Sequence, residues 1–125
     1  MSRSAQPFSR IDHVQLAMPP DAERQARAFY VEALGMEELP KPFELLSRGG
    51  IWLKSGSVLL HLGVDRDFHP ATKAHPALRC LDYDALVKRL EELKVPVAPD
   101  AHLVEGREHC YIVDPFGNRI ELIRA

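Results

Sequence analysis

The order of predicted elements repeats along the chain, and this repeat constrains the fold most strongly. Each half begins with an extended segment and continues with a helix and three further extended segments, which gives the order βαβββ twice. The halves cover about residues 10–65 and 75–123. Because one half cannot close a core alone, we expect a single α+β domain over residues 1–125, in which two βαβββ modules form a curled mixed sheet around a concave cavity.

Alternation and turn signals define the elements of the first half. Residues 10–19 alternate as a strand, with Ile11, His13 and Gln15 on one face. Asp21 is the predicted N-cap of a helix that runs to about residue 34 and ends at Gly35. Extended segments follow at residues 36–39, 51–54 and 57–64, and the dipeptide 55–56 (SG) predicts a hairpin turn between the last two.

The second half follows the same plan. A strand is predicted over residues 75–81, and Asp82 or Asp84 caps a helix that runs to about residue 93. Extended segments follow near residues 95–97, 107–113 and 118–123. The stretch 114–118 (DPFGN) predicts a tight turn, which sets the register of the final hairpin and so aims Glu121.

Composition excludes several classes of function. The chain has 125 residues, of which 46% are hydrophobic and 27% charged, as in an ordinary globular protein, and its net charge of −2 with no long basic run argues against nucleic-acid binding. No apolar run approaches the roughly 20 residues of a membrane span. No apolar segment follows the basic N-terminus, so a cytoplasmic location is expected. The two cysteines form no CxxC metal motif.

Histidines in predicted strands are the first candidates for chemistry. His13, His61 and His75 lie in such strands, and inner-face histidines of a curved sheet can converge on one point. A divalent metal ion accepts neutral imidazole and carboxylate oxygen, and Glu121 supplies a carboxylate in the last strand. For any one of these residues a solvated or hydrogen-bonded side chain is the commoner outcome. Their joint placement favours a ligand set.

Four separated motifs then resemble a known family. They are residues 11–14 (IDHV), residues 28–36 (AFYVEALGM), His75 at the start of the second half, and residues 114–122 (DPFGNRIEL). Together they resemble the vicinal oxygen chelate superfamily, which includes glyoxalase I, bleomycin-resistance proteins, thiol-transferring fosfomycin-resistance enzymes and extradiol dioxygenases. The resemblance spans residues 11–123.

The resemblance implies a metal centre. It assigns metal ligands to His13, His75 and Glu121, and one divalent ion, zinc, iron, nickel or manganese, as the cofactor. Glyoxalase I-like members commonly place a fourth ligand, a glutamate, in the fourth strand, where this chain has His61. His61 can still ligate, but the missing carboxylate leaves Glu121 as the only candidate catalytic base.

Other residues are candidates for binding a small-molecule substrate. Trp52, Phe43 and Tyr111 could offer flat apolar surface to the cavity, although a core or rim position is the commoner outcome for each of them. Arg107 and His109 could contact an anionic substrate or lie at a solvated strand edge.

Two functions of different classes follow. One is a metal-dependent enzyme, of the lyase or isomerase type or of the dioxygenase type, that chelates two neighbouring oxygens of a small substrate. The other is a metal-free module that sequesters an antibiotic or metabolite, as bleomycin-resistance relatives do. The family often dimerises, so a homodimer is expected, with sites within one chain or shared between two.

Overall fold

Eight strands form two four-stranded sheets, one from each half of the chain. The structure is a computed structural model and describes residues 5–125. The first sheet has the order β1-β4-β3-β2, and the second has the order β5-β8-β7-β6. The strands of the first sheet are β1 (Val14–Met18), β2 (Glu37–Leu39), β3 (Ile51–Ser55) and β4 (Val58–Val64). Those of the second are β5 (Ala77–Cys80), β6 (Ala98–Val104), β7 (Arg107–Val113) and β8 (Arg119–Arg124).

The pairing of the strands repeats between the two sheets. β1 runs parallel to β4 and β5 runs parallel to β8, while the other neighbours are antiparallel. β1 and β5 are therefore equivalent edge strands, one in each sheet. The predicted α+β fold of two βαβββ modules is confirmed.

Each module has a helical segment between its first and second strands. Helix α1 (Glu23–Arg27) continues as a π-helix (Ala28–Ala33), and α2 (Tyr83–Glu92) is its counterpart in the second half. Asp82 caps α2 by accepting a hydrogen bond from the Ala85 N–H at 3.1 Å. The predicted cap at Asp21 is wrong: that residue has φ +59°, and Ala22 occupies the cap position without a side-chain hydrogen bond. No helix in residues 5–125 combines the length and apolar composition that a membrane crossing requires.

Some element boundaries differ from the predicted ones because ladder pairing, not alternation, sets them. β1 begins with the pairing of Val14 and Leu60, so His13 lies just before the strand. β5 begins at Ala77, so His75 also precedes its strand. Residues 95–97, predicted to be extended, lie outside any strand, and β6 covers Ala98–Val104 because Ala98 is the first residue that pairs with β7. Residues Phe43–Arg48, for which the sequence pattern predicts no element, form a 3-10 helix.

The two halves share one apolar core and are joined by polar contacts at the turn before β8. Fully buried core residues come from both halves, Tyr30 among them in the first half and Leu122 in the second. The Tyr30 hydroxyl donates to Asp114 Oδ2 at 2.6 Å, and Asn118 Nδ2 donates to the Ala17 carbonyl at 2.7 Å. The turn at residues 114–118 is therefore fixed against the first module, and β8, which carries Glu121, starts from a fixed point.

Candidate functional site

A ring stack marks the first sheet. The His61 ring is stacked between the rings of His13 and Trp52. Its centroid lies 4.1 Å from that of His13 and 4.2 Å from that of Trp52, and the planes of the His61 and Trp52 rings are within 6° of each other. The register explains the contact with Trp52, because β3 pairs this residue directly with His61 on β4. Burial and the neighbouring His13 lower the pKa of His61 and favour a neutral ring, the form that binds a metal.

Asp12 orients the first histidine. His13 Nδ1 lies 2.9 Å from Asp12 Oδ2, so the ring proton is placed on Nδ1 and the Nε2 lone pair is left available. The same hydrogen bond is the main reason that the pKa of the Asp12 carboxyl is lowered. A metal-ligating imidazole usually donates a hydrogen bond from the N–H of its second ring nitrogen to a carboxylate or a carbonyl.

The stack forms one wall of a cavity of about 710 Å³. All its lining residues lie between residues 12 and 64, and those with polar or aromatic side chains are Asp12, His13, Gln15, Lys41, Arg48, Trp52 and His61. This volume falls within the range of small-molecule sites. The first module therefore carries a cavity with cationic groups, a flat aromatic wall and two histidines.

Glu121 and His75 meet in the second sheet. β8 pairs Glu121 with Ala77 of β5, which brings His75, two residues earlier, to the same face. His75 Nε2 lies 3.0 Å from Glu121 Oε1, and His75 Nδ1 lies 2.8 Å from the Lys73 carbonyl. With the Nδ1 proton donated to that carbonyl, Nε2 turns a lone pair toward the carboxylate, and such a contact is repulsive unless a proton or a cation lies between them.

The second carboxylate oxygen of Glu121 has its own partner. His109 Nδ1 lies 2.7 Å from Glu121 Oε2, and His109 Nε2 lies 2.6 Å from the His102 carbonyl. His109 is 4% exposed and Glu121 is 7% exposed, so both groups are removed from bulk water. Burial opposes a charged ring, but the Glu121 carboxylate and the His102 carbonyl outweigh it and raise the pKa of His109.

The remaining predicted substrate residues are spread over both modules. Tyr111 pairs with Glu121 across the strands, lies edge-on to His75, and carries the Arg119 guanidinium 4.1 Å above its ring. Arg107 lies at the start of β7. Phe43 is 85% exposed on the 3-10 helix and does not line the 710 Å³ cavity, whereas Trp52 does.

The structure brings the predicted ligands together in two pairs. His13 contacts His61, and His75 contacts Glu121. The pairs belong to different sheets, and among residues 5–125 no three His, Cys, Asp or Glu side chains are grouped so that they could hold one ion. Among the described residues of one chain, the predicted ligands therefore form two separate pairs, called below the first half-site (His13 with His61) and the second half-site (His75 with Glu121).

The donor set of the second half-site fits a divalent ion. Two ligand atoms that bind one ion at about 2.1 Å lie roughly 3.0–3.4 Å apart when they are adjacent in its coordination sphere. The separation of 3.0 Å between His75 Nε2 and Glu121 Oε1 falls in this range. In the neutral His75 ring, donation from Nδ1 to the Lys73 carbonyl leaves the lone pair on Nε2, facing Glu121.

Several site residues were missed by sequence reasoning. Gln15 shares the face of His13 by alternation, a signal that was available in the sequence. Lys41 and Arg48 reach the cavity from the segment around the 3-10 helix, which has no readable periodicity. Arg119 shares a face with Glu121, but its position above Tyr111 depends on side-chain torsions that no sequence pattern reports.

Comparison with known proteins agrees with this architecture. The model of the Glyoxalase/Bleomycin resistance protein/Dioxygenase superfamily matches residues 10–122. A solved structure of a protein assigned to the glyoxalase family, from Bacillus anthracis, is 45% identical, with a TM-score of 0.92 over 97% of this chain and 98% of that chain. Among curated proteins none matches significantly.

More distant structures with the same fold have different described activities. An antibiotic binding protein from a Streptomyces species is 25% identical, with a TM-score of 0.71 over 96% of this chain and 98% of that chain. A lactoylglutathione lyase from Agrobacterium tumefaciens is 24% identical, with a TM-score of 0.70 over 96% of each chain, and shows the fold alone. Because the family model covers nearly the whole chain and both βαβββ modules are present, this protein belongs to the glyoxalase/bleomycin resistance protein/dioxygenase superfamily.

Proposed function

We propose that this chain is a divalent-metal-dependent enzyme that acts on a small substrate through two neighbouring oxygen atoms. The observation that carries the proposal is the contact of His75 Nε2 with Glu121 Oε1 at 3.0 Å, with Nδ1 committed to the Lys73 carbonyl. In the neutral His75 ring, this arrangement leaves one nitrogen lone pair and one carboxylate oxygen facing each other at the spacing of two ligands of one ion.

We propose further that a second copy of the chain completes the site. His13 with His61 from one copy would face His75 with Glu121 from the other. Each half-site lies beside the edge strand of its sheet, β1 or β5. Large apolar side chains are exposed before β1, Phe8 and Ile11, and on the 3-10 helix, Phe43 and Leu46. Exposed apolar surface of this kind favours a protein partner, and a two-fold dimer would cover both copies of it.

The surrounding residues suggest how a substrate would be held. A divalent ion bound there would supply Lewis acidity to two neighbouring substrate oxygens. The Trp52–His61 stack offers a flat wall to a planar group, and Lys41 and Arg48 offer cations to a negatively charged one. Tyr111 and Arg107 would line the opposite side. Glu121 is the only predicted ligand that could also accept a substrate proton.

Metal analysis tests the proposal directly. The purified protein should contain close to one first-row metal ion per chain, and His13→Ala or Glu121→Ala should abolish this content because each removes a ligand of the same ion. His69→Ala is the matched control, since His69 is outside both half-sites and its Nδ1 is hydrogen-bonded to the Asp67 carbonyl. A wild-type protein without metal after reconstitution would contradict the proposal.

Two assays then separate the types of reaction. Oxygen uptake with catechols would identify a dioxygenase, and isomerisation of a thiohemiacetal would identify a glyoxalase-type lyase or isomerase. The histidine at position 61, in place of a carboxylate, favours the dioxygenase reaction, because the glyoxalase-type isomerisation needs a base to move a proton between carbon atoms.

A metal-free binding protein is the second candidate. The cavity of about 710 Å³ is formed by the first module alone and has an aromatic wall, so it could hold a flat ligand without an ion. The 25% identical antibiotic binding protein supports this alternative. It predicts ligand binding that Trp52→Ala weakens and Glu121→Ala does not.

A further inference from the structure

We infer that His109 is a positioning residue for Glu121, which it holds as a ligand that offers a single oxygen to the metal. The inference rests on the proposed metal site and adds a residue that is not itself a ligand. Its evidence is the carboxylate's two separate contacts, one from each oxygen: Oε1 with His75 Nε2 at 3.0 Å and Oε2 with His109 Nδ1 at 2.7 Å.

The two contacts would respond differently to a bound metal ion. An ion between His75 Nε2 and Glu121 Oε1 would replace the direct contact between these atoms. His109 would then be the only side chain among residues 5–125 still hydrogen-bonded to the Glu121 carboxylate. In the metal-bound site, His109 would therefore be the side chain that orients Glu121.

His109 is itself held rigidly. Its Nε2 contacts the His102 carbonyl at 2.6 Å and lies 3.7 Å from Asp100 Oδ2, both on the neighbouring strand β6. Its backbone pairs with Ile123 on β8, two residues beyond Glu121, so the two side chains reach each other on a diagonal of the same face. The ring thus connects β6 to the carboxylate on β8.

The backbone alone cannot fix this carboxylate. The Glu121 N–H donates to the Pro76 carbonyl at 2.9 Å, which sets the main chain but does not by itself fix the side-chain torsions. A glutamate that swings freely must be ordered when it binds an ion, and this ordering weakens affinity. A hydrogen bond to its second oxygen removes that freedom in advance, and partners of this kind typically contribute 10- to 100-fold in metal affinity.

Two substitutions separate this role from simple packing. In His109→Asn the side-chain nitrogen is two bonds from Cβ, like Nδ1, and keeps the donor toward Glu121. In His109→Gln the nitrogen is three bonds from Cβ, like Nε2, and keeps the donor toward His102 while it loses the one toward Glu121. Each variant therefore preserves one of the two hydrogen bonds.

The experiment measures Zn²⁺ and Co²⁺ affinity of the wild type and both variants by competition with a chelator, together with urea unfolding of the metal-free proteins. We expect His109→Gln to weaken metal binding about 10- to 100-fold and His109→Asn to stay within about three-fold of the wild type. The visible spectrum of bound Co²⁺ should change in His109→Gln only, because that variant frees the second carboxylate oxygen.

Other results would contradict the role proposed for His109. Equal weakening in both variants, in step with lost stability, would make His109 a packing residue and overturn the inference, as would unchanged affinity in both. These results leave the proposed function intact, because the wild type still binds metal. A wild type that binds neither ion would overturn the proposed function and this inference together.

Discussion

Glu23 shows how a single charged side chain ties a helix to the wall of the cavity. Its Oε2 accepts a hydrogen bond from the Gly50 N–H at 2.8 Å. This bond is the main reason that the pKa of the Glu23 carboxyl is lowered, in opposition to partial burial. Lys41 donates to the neighbouring Gly49 carbonyl, so the connection into β3 is held from two sides.

The Glu23 carboxylate should make stability depend on pH. Because its pKa is lower in the folded protein, the stabilisation is complete above the unfolded value of about 4.3 and is lost as pH falls through the folded value. We expect Glu23→Gln to reduce the free energy of unfolding by about 1 kcal/mol at pH 7 and by progressively less as the pH falls below about 4. Urea unfolding at pH 7, 5 and 3 measures the difference.

Glu92→Gln provides the control for Glu23. Glu92 is exposed on the last turn of α2, and its substitution should leave the unfolding free energy nearly unchanged at every pH. A Glu23→Gln variant whose deficit persisted at pH 3 would show that packing, not the carboxylate charge, stabilises this connection.

The connection from the 3-10 helix into β3 depends on a glycine pair. Gly49 and Gly50 have φ values of +74° and +84°, in the left-handed region that favours glycine. A Cβ on Gly50 would lie 2.1 Å from the Leu62 carbonyl oxygen. That oxygen belongs to β4, which pairs with both of its neighbours and cannot retreat.

Gly50→Ala should therefore destabilise the protein more than an alanine substitution at another glycine with a similar positive φ. Gly35 is the matched control, since its φ is +77° and a Cβ at this position would meet no heavy atom within 4 Å. We expect Gly35→Ala to cost about 1 kcal/mol for backbone strain and Gly50→Ala about 3 kcal/mol or more. Thermal unfolding of both variants tests this, and equal losses would contradict the steric argument.

Elements with strict alternation were predictable, and those set by tertiary contacts were not. The strand predicted over residues 57–64 matches β4 to within one residue, and that over 107–113 matches β7. The 3-10 helix has no periodic signal, and β6 begins three residues later than its predicted segment because its bounds follow the pairing with β7.

The candidate site divides in the same way. The resemblance selected His75 and Glu121, and the register of β5 and β8 explains why they meet. The role of His109 was not predictable, because its contact with Glu121 Oε2 depends on side-chain torsions at a diagonal position. The separation of the ligands into two half-sites depends on how the modules pack, which the order of elements does not specify.

At the scale of the whole molecule, two variants that bind no metal on their own should regain metal binding when they are combined, if each site is shared between two chains. A dimer of one His13→Ala chain and one Glu121→Ala chain has one site with all its ligands intact and one that lacks two. Random exchange makes about half of the dimers mixed, so about a quarter of the wild-type metal capacity should return. Metal analysis after unfolding and refolding the variants together measures this.

The same experiment distinguishes the two site arrangements. Each variant refolded alone should bind no metal, which is the control. Sites built within single chains would give no recovery in the mixture, because every chain lacks a ligand of its own site.

The polar contacts between Tyr30, Asp114 and Asn118 have a consequence for how the chain melts. The Tyr30 hydroxyl and the Ala17 carbonyl belong to the first module, and the residues they bind form the turn that leads into the last strand. Loosening either module would break buried hydrogen bonds of the other and open their common core. Repeated architecture does not here mean independent parts: heat should produce one calorimetric peak, in which both halves lose their structure as a single cooperative unit.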